Sequence, residues 1–448
     1  MIERLINYLE GKKTLILGFG REGQSTYKLI RKYLADKYLW IADEKAEVLQ
    51  NCELLSNDNN IELISGDGYL DNLDQYDLII KAPGVSLAHI DVSSIKNKIS
   101  SQLELTLKFF KLFTIGVTGT KGKSTTSSLI YKILKDQHVK CKFMGNIGIP
   151  IFDTIDEITK GTTLVLELSS HQLEFVTKSP NIAILLNISP EHLDHYKSFD
   201  DYANAKCNIY KNQSGIDWFF YGADNDVIMK KIDNPKGKVF RVSMSNSEEN
   251  NIFIKDDKVY FNDEPIYCIN EPRLLKGEFN LNNIMFALGV VKVLDLDMEL
   301  ATKSIAEFKS LPHRLEYVGC FDGVEYYDNC IGTVPVATIE AIRALKNVDT
   351  LIIGGMDRGI DYSEFIEFLN NSDVSNIVCM PKTGHDIAKQ LNSERAIIVE
   401  TLEEAVEISK KVTKKGMSCL ISPTAASYGF FKNFEEKGDK FQELVKRK

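Results

Sequence analysis

The most explicit chemistry in this chain lies in Ile115-Gly116-Val-Thr-Gly119-Thr120-Lys121-Gly122-Lys123-Ser124-Thr125-Thr126. Gly119 and Gly122 free backbone amides to face phosphate oxygens. Lys123 has the reach for the β- and γ-phosphates of a nucleotide, and the Ser124 hydroxyl can ligate Mg2+. The residue five before Gly122 is Val117 rather than glycine, so the strict P-loop spacing is not met. The context nevertheless fits, with an apolar run before the loop and a helical pattern, Ser127 to Leu134, after it. Gly119 to Thr125 therefore reads as an ATP site.

A second constellation follows. Glu167-Leu-Ser-Ser170 closes an apolar run, which places a carboxylate at the carboxyl end of a strand near the loop. Asn187-Ile-Ser-Pro190-Glu191-His192-Leu-Asp194-His195 closes another. Mg2+ prefers oxygen ligands and takes few from protein when phosphates are present, so Glu167 and Ser124 are expected to hold one ion. His192 stays open between a structural role and a share in a second ion. Lys206, in Ala203-Asn-Ala-Lys206-Cys-Asn-Ile209, reads as a solvated helix lysine.

Near the N-terminus, Gly18-Phe-Gly20-Arg21-Glu-Gly23 joins a strand to a helix, and Asp43 ends the next apolar run. The spacing matches a dinucleotide fingerprint. Three readings remain: NAD(P), a UDP-sugar whose diphosphate uses the same cradle, or glycines that only permit tight packing. Ala82-Pro83-Gly84-Val85 looks like a second loop on the same crevice.

These loops need strands to aim them. Apolar runs at Thr14–Gly18, Asp77–Ile80, Phe113–Val117, Thr163–Leu166, Ile182–Leu186, Thr350–Ile353, Asn376–Met380 and Ser418–Ile421 show little alternation, as buried parallel strands do. Alternation with amphipathic stretches predicts an α/β architecture. Gly-rich turns at Gly18, Gly116 and Gly354 mark three units, divided at 1–101, 102–310 and 311–448. The polar stretch Asp217 to Glu271 is expected to form a small β excursion in the middle one.

The 448 residues carry 54 Lys+Arg against 63 Asp+Glu, a net charge of -9, which disfavours a sequence-independent grip on nucleic acid. The eight cysteines form no Cys-x-x-Cys pair, so free thiols in a reducing cytoplasm are expected. No signal-type or membrane-length apolar run is present in the sequence, so no membrane association is expected.

Together these stretches resemble the Mur ligase family, most closely its glutamate-adding members. The residues that carry the resemblance are Gly119 to Ser124, Gly145-Asn146-Ile-Gly-Ile-Pro150, Glu167-Leu-Ser-Ser-His-Gln-Leu-Glu174, Leu186 to His192, Ala205-Lys206, Leu311-Pro-His-Arg314, Ser422 to Ser427 and Phe431-Lys-Asn-Phe434. They follow the family's order over nearly the whole chain. The resemblance implies three domains: Rossmann-like N-terminal, P-loop ATPase-like central and Rossmann-like C-terminal. It implies an ADP-forming amide ligase of peptidoglycan precursor synthesis, adding D-glutamate to UDP-N-acetylmuramoyl-L-alanine through an acyl phosphate, with L-glutamate as the alternative. It assigns Gly18, Gly20, Arg21, Gly23, Asp43, Pro83, Gly84 and Asn146 to the UDP precursor. It places Asn280, Arg314, Asp328 and Asn329 around ATP. It further implies carbamylation of Lys206, two Mg2+ ions held by Ser124, Glu167, His192 and Lys206, and a monomer.

Two departures stand out. Glutamate-adding members carry Asn-Asp-Ser-Lys-Ala-Thr-Asn where this chain has Asp328-Asn329-Cys330-Ile331-Gly332-Thr333-Val334. The aspartate that faces ATP has become Asn329, with Asp328 adjacent, and the lysine that contacts glutamate has become Ile331, which can bind no carboxylate. A second lysine aligns with Arg358, whose planar fork can grip a carboxylate through two hydrogen bonds. Thr333, Ser427 and Phe434 remain as expected glutamate contacts. The altered pocket resembles a branch of the family that adds L-glutamate. Three competitors remain. An NAD(P) oxidoreductase leaves the phosphate loop unexplained. A folylpolyglutamate-type ligase fits Leu311 to Arg314 poorly. A silent UDP-precursor binding protein is the third, prompted by Asn329 and Ile331.

Overall fold

The computed structural model describes residues 2–110, 112–145, 149–191, 195–247, 249–391 and 394–447. Their strands form three sheets, and every apolar run named above becomes one of them. The first sheet has β1 (Thr14–Leu17), β2 (Leu39–Asp43), β3 (Ile61–Ser65), β4 (Leu78–Lys81) and β5 (Ile99–Ser100) in the order β3-β2-β1-β4-β5, all parallel. β1 is buried along its whole length, as a central strand covered on both faces must be. The topology is that of a Rossmann-like half, with the glycine turn after β1 at the switch point.

The second sheet holds β6 (Thr114–Thr118), β7 (Cys141–Gly145), β8 (Thr163–Glu167), β9 (Ile182–Leu185), β10 (Trp218–Gly222), β11 (Lys238–Val242), β12 (Ile252–Lys255), β13 (Lys258–Phe261) and β14 (Glu264–Cys268). Their order is β14-β13-β12-β11-β10-β9-β6-β8-β7. β6 to β11 pair in parallel, and β12 to β14 add two antiparallel hairpin steps. The expected β excursion is thus an extension of the central sheet. Asp256 and Asp257, both at positive φ, close the first hairpin in the conformation that two-residue turns require.

The third sheet has β15 (Glu316–Phe321), β16 (Val324–Asp328), β17 (Val348–Gly355), β18 (Asn376–Lys382), β19 (Ala396–Ile398) and β20 (Ser418–Ile421), in the order β15-β16-β20-β17-β18-β19. All but β15 run in parallel.

Contacts group the chain into two compact units. One comprises Met1–Asn270 and Asn282–Ser304 and contains the first two sheets; the other comprises Glu271–Leu281 and Ile305–Lys448 and contains the third. In the first unit one apolar cluster runs from Leu5 and Leu9 through Ile16, Leu166 and Leu185 to Phe219. In the second unit separate clusters on the two faces of the sheet include Leu351, Ile353 and Phe365 on one side and Ile352, Cys419 and Phe441 on the other.

Candidate active site

The phosphate loop follows β6 and ends where the helix Lys123–Asp136 begins. Gly122 is that helix's N-cap at φ +85°, and a Cβ there would stand 2.5 Å from Asn283 Oδ1, so only glycine fits. The loop is braced by the segment after β9: Thr120 N–H donates to Asn187 O at 2.9 Å and Lys121 N–H to Asn187 Oδ1 at 2.8 Å. Lys123 Nζ donates to Gly119 O and Thr120 O, both at 2.9 Å. Helix N-terminus, glycines and cation together make an anion cradle. Glu167 ends β8 in register with Val117 of β6 and is 2% exposed. Ser124 in the helix's first turn and Glu167 offer hard oxygen donors, a set that suits Mg2+. His192 and Asn146 lie outside the described residues.

Lys206 corrects the sequence reading: it is 2% exposed, not solvated. Its helix, Phe199–Lys211, buries Tyr202, Ala203, Lys206, Cys207, Ile209 and Tyr210. Lys206 falls four residues after Tyr202 and four before Tyr210, on the inward stripe. That i±4 spacing was the available signal. Its Nζ donates to Gly119 O at 2.8 Å and lies 4.8 Å from the Tyr202 ring centroid. Two lysines therefore share one carbonyl of the phosphate loop. Burial first, then the Lys123 charge, holds the Lys206 amine well below the ordinary lysine pKa.

The N-terminal motifs also converge. A cleft of about 750 Å³ is lined by Gly18, Gly20, Arg21, Asp43, Pro83 and Gly84, and by Gly145 at the end of β7. Gly23 does not line it; a Cβ there would meet Gly18 O at 2.1 Å, so this glycine serves helix–strand packing. Asp43 Oδ2 accepts from Phe19 N–H at 2.7 Å and Oδ1 from Lys45 N–H at 3.0 Å, which fixes the glycine turn. The sequence reading missed Tyr69, Ser86 and His89 in the lining. It also missed Lys81 at the end of β4, buried and 3.3 Å from Glu174 Oε2. No spacing rule marks such residues, because chain segments far apart in sequence bring them together.

In the second unit the expected ATP contacts are engaged with their own neighbours. Asn329 Oδ1 accepts from Leu315 N–H at 3.1 Å, and its Nδ2 donates to Ser422 Oγ at 3.0 Å. Asp328 is buried and lies 2.7 Å from His313 Nδ1. Asn280 is buried and donates to Lys276 O at 2.8 Å. Arg314 sits between His313 and Leu315, both at positive φ. Arg358 is exposed and donates to Thr333 O at 2.7 Å. Ser427 is buried, and Phe434 opens the helix Phe434–Lys446.

The His313–Asp328 pair predicts a pH signature. The hydrogen bond to Asp328 raises the His313 pKa despite burial. Burial alone would raise that of Asp328, but hydrogen bonds from His313, Gln442 and Cys330 N–H hold it below the usual value. The histidine contribution is complete below its unfolded pKa of 6.5 and is lost as pH rises through the raised folded value. The aspartate contribution is present above 3.8 and lost as pH falls through its lowered value. Thermal melts should therefore show a midpoint that drops as pH climbs past 6.5. In His313→Gln that alkaline slope should flatten; an unchanged slope would remove the pair as its source.

Residues 117–291 match the Mur ligase middle domain family. The chain is 32% identical over 453 residues to UDP-N-acetylmuramoylalanine--D-glutamate ligase of Acetivibrio thermocellus, covering 98% of this chain and 97% of that one. It is likewise 32% identical to the enzyme of that name from Clostridioides difficile, covering 98% and 99%. Among solved structures, MurF ligase from Thermotoga maritima in complex with ADP matches with a TM-score of 0.59 at 16% identity, covering 96% of this chain and 94% of that one. UDP-N-acetylmuramate-alanine ligase MurC from the same organism matches with a TM-score of 0.56 at 20% identity, covering 96% and 98%.

Proposed function

The chain belongs to the Mur ligase family, and from that premise we propose that it joins D-glutamate to UDP-N-acetylmuramoyl-L-alanine with ATP cleaved to ADP and phosphate. One observation favours a ligase over a dehydrogenase: the phosphate loop and the glycine-lined cleft belong to one compact unit. A redox enzyme would need the cleft alone.

The cleft takes the diphosphate of the precursor, whose charge suits the N-terminus of the helix Arg21–Tyr33. The precursor's carboxylate attacks the γ-phosphate of ATP held by Gly119 to Thr125, and Lys123 offsets the charge that develops. The glutamate amine then displaces phosphate from the acyl phosphate. Positioning and charge screening carry most of such a reaction. Ser124, Glu167 and a carbamylated Lys206 would hold Mg2+, with His192 at a second ion. The metal supplies charge neutralisation at the phosphoryl oxygens.

Three domains at 1–101, 102–310 and 311–448, a cytoplasmic location and a monomeric state complete the proposal. Among the described residues no helix is long and apolar enough to cross a membrane.

Phosphate release should be followed with ATP, Mg2+, the UDP precursor and either D- or L-glutamate. Turnover with D-glutamate alone is expected. Turnover with L-glutamate alone would overturn the stereochemical assignment, and turnover with neither would overturn the substrate assignment. Arg358→Ala should raise the glutamate KM roughly 10–100-fold, the range for a charged hydrogen-bonding partner, and leave the ATP KM unchanged. Equal effects on both would remove Arg358 from the amino-acid site.

A further inference from the structure

Three side-chain contacts tie the loops of the N-terminal cleft to the strand ends of the central sheet, and both sheets belong to one compact unit. Lys81 ends β4, immediately before the Ala82-Pro83-Gly84-Val85 loop that lines the cleft. Its side chain is 3% exposed, and its Nζ lies 3.3 Å from Glu174 Oε2. Glu174 follows the short helix Ser170–Leu173, which opens just after Glu167 ends β8. The same Oε2 faces His195 Nε2 at 3.6 Å. Two hydrogen bonds run beside this ion pair. Gln172 Nε2 donates to Glu22 Oε1 at 3.0 Å, while its Oε1 accepts from Ser169 N–H at 3.1 Å, which orients the amide. Ser86 Oγ donates to His195 O at 2.7 Å. Glu22 and Ser86 both line the cleft.

Burial pulls the Lys81 pKa down, and the charges of Glu174 and Glu22 act against that, so the ammonium is compensated. For stability alone such a pair is a poor choice, because apolar side chains of similar volume pack as well without losing hydration. What an ion pair adds is register: two charges meet at one place, whereas apolar surfaces can slide. Here the register lies between two binding sites. One end of the pair holds the loop of the cleft. The other holds the chain that leaves Glu167, whose strand pairs with β6 ahead of the phosphate loop. In-line transfer tolerates little misplacement, and an error of about 1 Å costs on the order of 10²-fold.

We propose that Lys81 and Glu174 are positioning residues for the phosphoryl-transfer step, fixing the precursor's loop against the strand end that carries Glu167. The acceptor carboxylate oxygen then bonds to the γ-phosphorus in line with the bond to the β–γ bridging oxygen, and that bond breaks as its electron pair leaves with ADP. The pair acts through the loop and not on the reacting atoms. The proposal rests on the ligase reading and adds to it the side chains that set the distance between acceptor and nucleotide.

Isotope exchange isolates that step. ATP labelled with oxygen-18 in the β–γ bridge scrambles its label into the other β-phosphate oxygens when the acyl phosphate forms and reverts. Exchange with the precursor present and glutamate absent therefore reads phosphoryl transfer alone. In the full chain, Lys81→Met should slow this exchange and kcat together by roughly 10–100-fold, while KM values for ATP, precursor and glutamate stay within about threefold. Lys81→Arg keeps the charge and should recover most of the rate. Glu174→Gln should act in the same direction, and Lys81→Met combined with Glu174→Gln should lose little more than either alone, because both remove one contact.

A purely structural lysine would lower the thermal midpoint and leave the exchange rate per folded molecule unchanged, and that result overturns the proposal. So does a fall in kcat with exchange intact, which places the pair in the amine step, and so do additive losses in the double variant. Should Lys81→Met not fold, Glu174→Gln carries the same test at a partly exposed side chain. No exchange in the unmodified protein removes the ligase reading and the proposal with it. Exchange that Lys81→Met leaves undiminished keeps the ligase and removes the positioning role.

Discussion

Lys123→Met should lower ATP-dependent phosphate release by about a thousandfold or more, the scale on which phosphoryl-transfer sites lose activity with a key cation. In the structure Lys123 Nζ is spent on the Gly119 and Thr120 carbonyls, which fold it back over the loop it serves. A nucleotide offers phosphate oxygens in their place, so the lysine exchanges neutral acceptors for charged ones. The side chain is half-buried, and methionine keeps its length, so the fold should survive. Binding of the UDP precursor to the cleft at Gly18 and Pro83 should be unchanged by titration. Activity within tenfold of the parent would remove Lys123 from the reaction.

Lys206→Ala should cost on the order of 10²–10³-fold in phosphate release and should abolish a carbon-13 carbamate signal seen after exposure of the parent protein to labelled bicarbonate. Only a neutral amine attacks CO2, and burial with the neighbouring Lys123 keeps Lys206 neutral at a lower pH than an ordinary lysine. The sign follows: activity and the carbamate signal should both fade as pH drops through that depressed pKa. Between it and 10.5 the unfolded chain binds more protons than the folded one, so stability attributable to Lys206 rises with pH. Removal of CO2 should inactivate the parent reversibly. A parent protein without the signal at any pH, yet fully active, would end the carbamate assignment.

Much of the fold was legible because central parallel strands are buried on both faces. β1, β6, β8, β9 and β20 are short unbroken apolar runs, and nothing competes with that signal. The edges were not legible. β3 mixes intermediate and exposed positions and β15 has no buried residue, so neither shows the full burial that marks the central strands. The site divides in the same way. Gly119 to Thr125 belong to one loop, and chain order alone declares them. Lys206 needed the helical stripe through Tyr202 and Tyr210. Lys81 needed Glu174, ninety-odd residues away, and could not be found from spacing at all. Asn329 looked like a damaged ATP contact in sequence, but its carboxamide is occupied by Leu315 and Ser422. Its amide geometry serves the start of the third sheet, a task for which a carboxylate lacks the donor.

The hairpins appended to the central sheet have a consequence for self-association. A sheet that stopped at β11 would expose a parallel edge strand, a template for another chain to dock against. Instead the margin on that side is β14, with Glu264 and Pro265 at its start, both exposed. Proline offers no N–H to a newcomer, and the glutamate brings a charge that a second copy would also carry. The polar insert thus works as a selvage, a finished border on one side of the largest sheet that offers a second copy little to pair with.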